Sequence, residues 1–456
     1  MNECLPIDTD EYRVVLVHPA SHVVCALESE GAYRLLRVFI AQRKRRTRAL
    51  QKTLRDVWGL AVIVLDFLPT SDSGSTCAIA EFLNCERPAG FKGVTPEQLA
   101  NEELSEQERD LLQTMLAEDA ATPFANVGWM DHAVAWLETA TGAKVSSKAE
   151  VEQYNAGGGF TLLRFRMREE RSYWLKATAA HNTHERTVTS LLSRLCRGHV
   201  PEVIAEQPAW NAWLMCDDGD QIAELRSEGP DTLRILEGAV KSLAELQMRT
   251  MGSELDLLEA GAADHRTHVL RSNAEALFAY LGEAMAAQAS TKVPRIAAWR
   301  LRDLQSLFED VCSYVEDLEL PDAVLHGDMN LGNILIAQER CVFIDWCEAY
   351  VGNPLVTFEH LLLLNPIDDV SLKTACDQHL RDTYRTAMSR LCHPRMIDAG
   401  FACMPLIATA SAIFGRGNWL RTPLRTDSRR QAYVRGIARH MDRAAREPML
   451  LAQLSV

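Results

Sequence analysis

Two carboxylates, an amide and a histidine crowd one short segment, AVLHGDMNLGNILIAQERCVFIDW, as His326, Asp328, Asn333 and Asp345. Asn333 opens the apolar run NILI and Asp345 closes the run CVFI, with the turn AQER between them. Antiparallel pairing of the two runs sets Ile336 against Cys341 and Asn333 opposite Ile344, so the amide and the carboxylate arrive at the same open end of a hairpin. Both are hard oxygen donors, suited to a magnesium ion that keeps its waters and shares phosphate oxygens. Asp328 lies just upstream, where a loop can aim it at the same point. A metal to neutralise phosphate charge and a carboxylate to orient an attacking hydroxyl are the parts that phosphoryl transfer needs.

The string H-G-D-x-x-x-x-N followed by I-D-W resembles the signature of the aminoglycoside phosphotransferase and choline kinase superfamily, relatives of the protein kinases. The resemblance implies ATP as the donor, Asp328 as catalytic base, Asn333 and Asp345 as Mg2+ ligands and His326 as a structural organiser of the loop. Trp346 stands where a protein kinase has the phenylalanine of D-F-G. The family commonly continues with Gly-x-Pro-x-x-Asp; here Gly352, Asn353 and Pro354 lead to Thr357, which replaces the acid. The resemblance runs from Pro123 to the end and is sharpest from His326 to Pro354.

A family of this kind implies a sheet-bearing lobe with a lysine for the ATP phosphates and a glutamate to hold it. Thr161, Leu163, Phe165 and Met167 alternate with Leu162, Arg164, Arg166 and Arg168, the pattern of a half-buried strand. A turn at Glu169-Glu170-Arg171 leads to SYWLKAT, so Phe160 to Thr178 is predicted to be a hairpin carrying Lys176 on the face of Trp174. The helix HERTVTSLLSRL sets Glu185 in register with Val188, Leu192 and Leu195, where a charge requires a partner and Lys176 is the obvious one. Gly157, Gly158 and Gly159 precede the strand at the place of a nucleotide-covering loop, although a plain hairpin turn fits them as well. Met215 and Asp217 belong to WLMCDDGD, a strand exit whose main chain could hold adenine or which could be an ordinary loop entry.

The elements that must position these residues span 456 residues, more than one core usually organises. Three parts are predicted: an α/β domain with a helical connector over 1–120, a kinase-like sheet lobe over 121–225, and a helical lobe over 226–456. The fold class is α+β, a protein-kinase-like bilobal arrangement preceded by a small α/β domain. In the first part, Tyr12 to Val17, Val23 to Leu27 and Ala61 to Leu68 read as strands around the basic helix RKRRTRALQKTLRDVWGL, which Gly59 stops. Its end resembles a degenerate Nudix box: Thr53, Asp56 and Val57 stand where acids are wanted, and Val38 and Lys44 occupy the upstream glycine and glutamate positions. The stretch from Thr95 to Asp119 reads as a surface helix or helical connector opening at Thr95-Pro96-Glu97. Trp129 to Thr139 is a lead-in helix, and the chain from Asp231 onward is mostly helical apart from the hairpin around Leu335 and Val342. Helices over Thr232 to Leu320 and Ser371 to Leu454 would form the acceptor walls. The arginines from Arg416 to Arg446 could form a patch for an anionic substrate, but read first as a solvated helical face.

An apolar fraction of 47% and a charged fraction of 24% describe an ordinary globular chain. The formal charge of −14 argues against a nucleic-acid or anionic-membrane surface. Twelve scattered cysteines without C-x-x-C spacing read as buried small hydrophobes. No bilayer-spanning stretch and no signal peptide is expected, which points to the cytoplasm. The function expected is ATP-dependent phosphorylation of a hydroxyl on a small molecule such as an antibiotic, amino alcohol, sugar or nucleoside. A catalytically silent nucleotide sensor and a protein kinase are the alternatives.

Overall fold

The computed structural model describes residues 9–42, 45–68, 75–84, 89–120, 122–169, 171–217, 219–221, 230–337 and 340–454. The first eight residues, Arg43, Lys44, Glu170, Asp218, Gln338 and Glu339 lie outside them. The chain divides into two compact units, Met1–Arg186 with Val203–Asp217, and Thr187–Glu202 with Asp218–Val456.

The first unit holds two sheets. Strands β1 (Thr9–Val17), β2 (Val24–Ser29), β3 (Ala32–Arg34), β4 (Leu36–Ala41), β5 (Val62–Leu68), β6 (Thr76–Phe82) and β7 (Phe91–Val94) run in the order β3-β2-β1-β6-β5, with β4 on β1 and β7 on β2. The parallel pair β1 and β6 sits at its centre. Helix α1 (Arg46–Trp58) ends, as the sequence reading expects, at Gly59, whose φ of 66° is the left-handed turn that glycine adopts without strain. Val38, at the upstream glycine position of the degenerate Nudix pattern, lies in β4 opposite Tyr12, where Leu36, Val38 and Ile40 alternate with exposed residues as an ordinary strand.

The surface helix or helical connector expected over Thr95 to Asp119 is made of two helical pieces. Thr95 and Gln98 close a capping box around a one-turn 3-10 helix, Pro96–Gln98, and Leu99 then leaves in an extended conformation. The α-helix α2 (Glu106–Leu116) starts at a second box formed by Ser105 and Glu108. Glu108 also takes the buried Arg13 guanidinium at 2.8 Å, so the true helix start is fixed by a long-range ion pair.

Helix α3 (Trp129–Thr141) leads to the second sheet, made of β8 (Glu152–Asn155), β9 (Phe160–Arg166), β10 (Ser172–Thr178), β11 (Val203–Gln207) and β12 (Ala212–Cys216) in the order β11-β12-β10-β9-β8. The predicted hairpin is β9 and β10, and Thr161, Leu163, Phe165 and Met167 are all buried. One core joins Val15, Ile63 and Leu65 of the first sheet to Trp129, Leu163, Phe165 and Leu175. Helix α4 (His184–Leu195) follows β10.

Glu81 of β6 is buried, its carboxylate accepting the Gly128 N–H at 2.6 Å. Burial, aided by Asp131, pushes it up to about 7 from the ordinary 4.5. The folded state therefore holds this proton where the unfolded chain releases it, and the stability it confers below 4.5 is lost as pH rises towards 7. Glu81→Gln keeps the acceptor and removes the titration. Urea melts at pH 5 and pH 8 should show the variant gaining on the wild type by ~2–3 kcal/mol across that interval.

The second unit is mainly helical: α5 (Pro230–Thr250), α6 (Glu254–Glu259), α7 (Thr267–Ser272), α8 (Ala274–Ala286), α9 (Ala298–Asp317), α10 (Leu355–Leu362), α11 (Val370–Met388), α12 (Pro394–Phe414), α13 (Thr422–Arg425), α14 (Ser428–Ala444) and α15 (Pro448–Leu454). Besides the expected hairpin of β16 (Ile334–Ala337) and β17 (Arg340–Phe343), it holds β13 (Asp220–Gln221), β14 (Ala263–His265), β15 (Ala323–His326) and β18 (Ala349–Gly352). These three- and four-residue strands in the order β14-β18-β15 escape a period-based reading because they are too short to alternate.

Helix α12 corrects another expectation, since it is long and apolar enough to cross a membrane. In this unit 72% of its most apolar window is buried, and it packs on α9, α10, α11 and α14. Continuous hydrophobicity here is that of a core helix enclosed on most sides. The cysteines fit the burial reading: Cys77, Cys196 and Cys403 are buried thiols pushed up to about 12 by desolvation.

Candidate active site

His326 ends β15 and enters the loop to β16. Its backbone N–H donates to the Thr357 hydroxyl at 3.0 Å, and its Nε2 meets the Ile344 carbonyl at 2.9 Å. Burial holds the imidazole below its ordinary range despite the carboxylates of Asp345 and Asp328, so the ring is neutral with its proton on Nε2. The histidine thereby ties the strand before Asp328 to the residue before Asp345. Gly327 donates to the Glu348 carbonyl at 2.7 Å and lies flat on Tyr350, where an added Cβ would sit 2.3 Å from the ring. No larger residue fits between His326 and Asp328.

Asn333 closes a one-turn 3-10 helix, Leu331–Asn333, just ahead of β16. The hairpin register pairs Ile336 with Cys341, and the Ile344 N–H donates to the Asn333 carbonyl at 3.0 Å, so Asn333 and Asp345 share the open end as expected. The Asn333 side-chain N–H2 donates to the Asp328 carbonyl at 2.9 Å and to its carboxylate at 3.1 Å. That bond leaves the amide oxygen as the atom Asn333 can offer a cation. Asp345 adopts φ 66° and ψ 67°, a left-handed conformation that non-glycine residues hold only when their surroundings impose it. The side chain of Asp328 is exposed, Asn333 is buried and Asp345 is half-buried. One amide oxygen and one carboxylate are the hard donors a magnesium ion takes when phosphate and water complete its shell.

In the first unit Lys176 lies in the central strand β10, opposite Leu162 of β9 and Trp213 of β12. Its ammonium meets Glu185 at 2.5 Å, with side chains 8% and 2% exposed. The rings of Phe160 and Trp213 stand 5.2 and 5.9 Å from the same nitrogen. The nine-residue spacing suffices because the helix begins six residues after the strand ends. Gly157, with φ 129°, opens the turn between β8 and β9. Met215 lies in β12, whereas Asp217 is engaged by the Arg164 guanidinium at 2.6 Å and by the Trp174 indole N–H at 2.9 Å.

Residues 153–387, just over half of the chain, match the model of the phosphotransferase enzyme family (APH). The chain belongs to that family. The match spans every site residue above, and the protein-kinase-like α+β fold that the I-D-W signature implied is the fold found. Among solved structures, the phosphotransferase is similar to a macrolide 2'-phosphotransferase from Brachybacterium faecium (16% identity, 69% of this chain and 96% of that one, TM-score 0.40). It is also similar to a choline/ethanolamine kinase family protein from Mesorhizobium loti (16%, 71% and 97%, 0.41) and a putative fructosamine-3-kinase from Thermobifida fusca (17%, 68% and 98%, 0.42). No curated protein sequence matches the chain.

Thr357 is the residue whose part the sequence reading missed. It is fully buried and supplies the acceptor for the His326 N–H, so a hydroxyl holds the strand that leads to Asp328 where the family commonly has an acid. Thr357→Val conserves shape and leaves that N–H without its acceptor. A loss of ~1–3 kcal/mol is expected, read as a lower melting temperature of the second unit. Of the arginines of residues 416–446, Arg421, Arg429, Arg443 and Arg446 are exposed as a solvated face requires, but three depart from it: Arg416 donates to the Gly261 carbonyl, Arg435 to the Ala284 carbonyl and Arg439 to Gln288. They stitch the last helices to the rest of their unit.

Proposed function

We propose that the phosphotransferase moves the γ-phosphate of ATP to a hydroxyl of a small molecule. The observation carrying this reading is the Asp328–Asn333 pair beside Asp345, held by His326 at the end of one hairpin. Asp328 orients the acceptor hydroxyl and takes its proton as the oxygen bonds to the γ-phosphorus. The bond from that phosphorus to the bridging oxygen breaks, and ADP leaves. Lys176, pre-positioned by Glu185, binds the donor phosphates, with the Gly157–Gly159 turn and the main chain at Met215 on the nucleotide side. Asn333 and Asp345 would hold Mg2+, which when bound neutralises phosphate charge. Asp217 is committed to Arg164 and Trp174 and serves by bracing the end of β12.

The sheet of residues 9–94 is proposed as a Nudix-like accessory without hydrolytic acids, since α1 offers Thr53, Asp56 and Val57, and Asp56 is spent on Lys52. The cytoplasm, where MgATP is abundant, is the proposed setting.

The test is a screen of aminoglycosides, amino alcohols, sugars and nucleosides for acceptor-dependent ATP consumption, with Asp328→Ala as blank and the phosphate monoester identified by mass. One acceptor turning over above the blank supports the reading. MgATP raising the melting temperature while no acceptor, protein included, is turned over would replace it with a silent nucleotide sensor.

A further inference from the structure

The first sheet reaches the glycine turn directly. Asp66 of β5 accepts the Gly158 N–H at 3.2 Å, and the same carboxylate oxygen accepts the Phe67 N–H at 2.7 Å. A Cβ at Gly157 would stand 3.2 Å from that oxygen, so the turn approaches the carboxylate as closely as glycine allows.

Strand β8, which feeds the turn, is bound to the same stretch of β5. The register of β5 against β6 shifts between Val64 and Asp66, and beside that shift the side chain of the fully buried Gln153 bonds the main chain of Val64. Its amide oxygen accepts the Val64 N–H at 2.7 Å and its amide nitrogen donates to the Val64 carbonyl at 2.8 Å. Gln51 of α1 completes the joint, donating to the Val62 and Val151 carbonyls and accepting the Gln153 N–H at 3.0 Å. One amide side chain thus stands in for a strand residue, and Gln153 lies four to six residues ahead of the glycines of the turn.

We propose that the N-terminal sheet sets the conformation of the glycine turn for the nucleotide, with Asp66 as its positioning residue. The proposal rests on the reading of Gly157–Gly159 as the loop that covers the donor phosphates. Three successive glycines have the largest conformational freedom a chain can have, and a loop that must be ordered by its ligand binds that ligand more weakly. The Gln51–Gln153 joint fixes where the turn begins, and Asp66 fixes its middle. The sheet of residues 9–94 is on this account a working part of the nucleotide site.

The test is steady-state kinetics of the full chain with an acceptor found by the screen, comparing Asp66→Ala and Asp66→Asn. Asp66→Ala should raise KM for MgATP about tenfold, with kcat and the acceptor KM within about twofold of wild type. Asp66→Asn, which keeps an acceptor oxygen, should recover most of that loss. A KM for MgATP unchanged in Asp66→Ala, or a loss falling equally on the acceptor KM, overturns the proposal. Lys176→Met in parallel separates the two levels: if it weakens MgATP use while Asp66→Ala does not, only the positioning role fails. If Lys176→Met is also without effect, the phosphate-side reading fails and the proposal with it.

Discussion

Asp328→Ala is expected to lower acceptor phosphorylation by about 10²- to 10⁴-fold, the usual contribution of a positioned general base. The loss should fall on kcat. The Asp328 side chain is exposed and makes one contact with the Asn333 amide, whose other bond goes to the Asp328 main chain and survives the substitution. Melting temperature and the thermal shift produced by MgATP should therefore stay near wild type. Asp328→Asn is the sharper variant, because it keeps the shape and an oxygen for Asn333 and removes only the basicity. If Asp328→Asn turned over acceptor at the wild-type rate, Asp328 would not be the base. A collapse of MgATP binding together with the rate would assign it to the metal site.

The second large effect concerns Lys176 and Glu185. Both side chains are almost fully enclosed and meet at 2.5 Å, so removing either leaves the other's charge buried without its main counter-charge. Breaking such a pair from one side costs ~3–5 kcal/mol, and Glu185→Leu should lower the melting temperature of the first unit by several degrees. Lys176→Met does the same and also removes the cation for the donor phosphates. The double variant Lys176→Met/Glu185→Leu separates the two roles. With both charges gone the pocket is apolar, and stability should return to within about 1 kcal/mol of wild type or exceed it. Phosphate transfer should not return. Recovery of activity along with stability would make the pair a structural ion pair alone.

The hairpin from Asn333 to Asp345 was legible in the sequence because its register follows from two apolar runs and a short turn, all local. The same holds for the β9 and β10 hairpin that carries Lys176 and for helix α1 with its stop at Gly59. Side chains that meet across long chain separations were not legible. Thr357 acquires its part from a bond to a residue 31 positions away, and Glu108 at the start of α2 takes the guanidinium of Arg13, 95 positions away. Nothing in a local pattern encodes either distance. Helix α12 has the length and apolarity that the sequence reading expected of no stretch; an apolar run reads alike whether lipid or protein encloses it, and only the packing around it says which.

The sequence by itself determined the chemistry on offer: an H-G-D loop, an asparagine five residues on, an aspartate twelve beyond that, and a strand lysine with an acid nine residues on in the next helix. Residue type and short spacing carry all of that. The tertiary structure alone decided that the strand carrying Lys176 is the central one of its sheet, that His326 is a neutral tie between two strands, and that Asp66 of the first sheet holds the glycine turn. The physical reason is that hydrogen bonds and buried charges act over about 3 Å in space with no regard for separation along the chain.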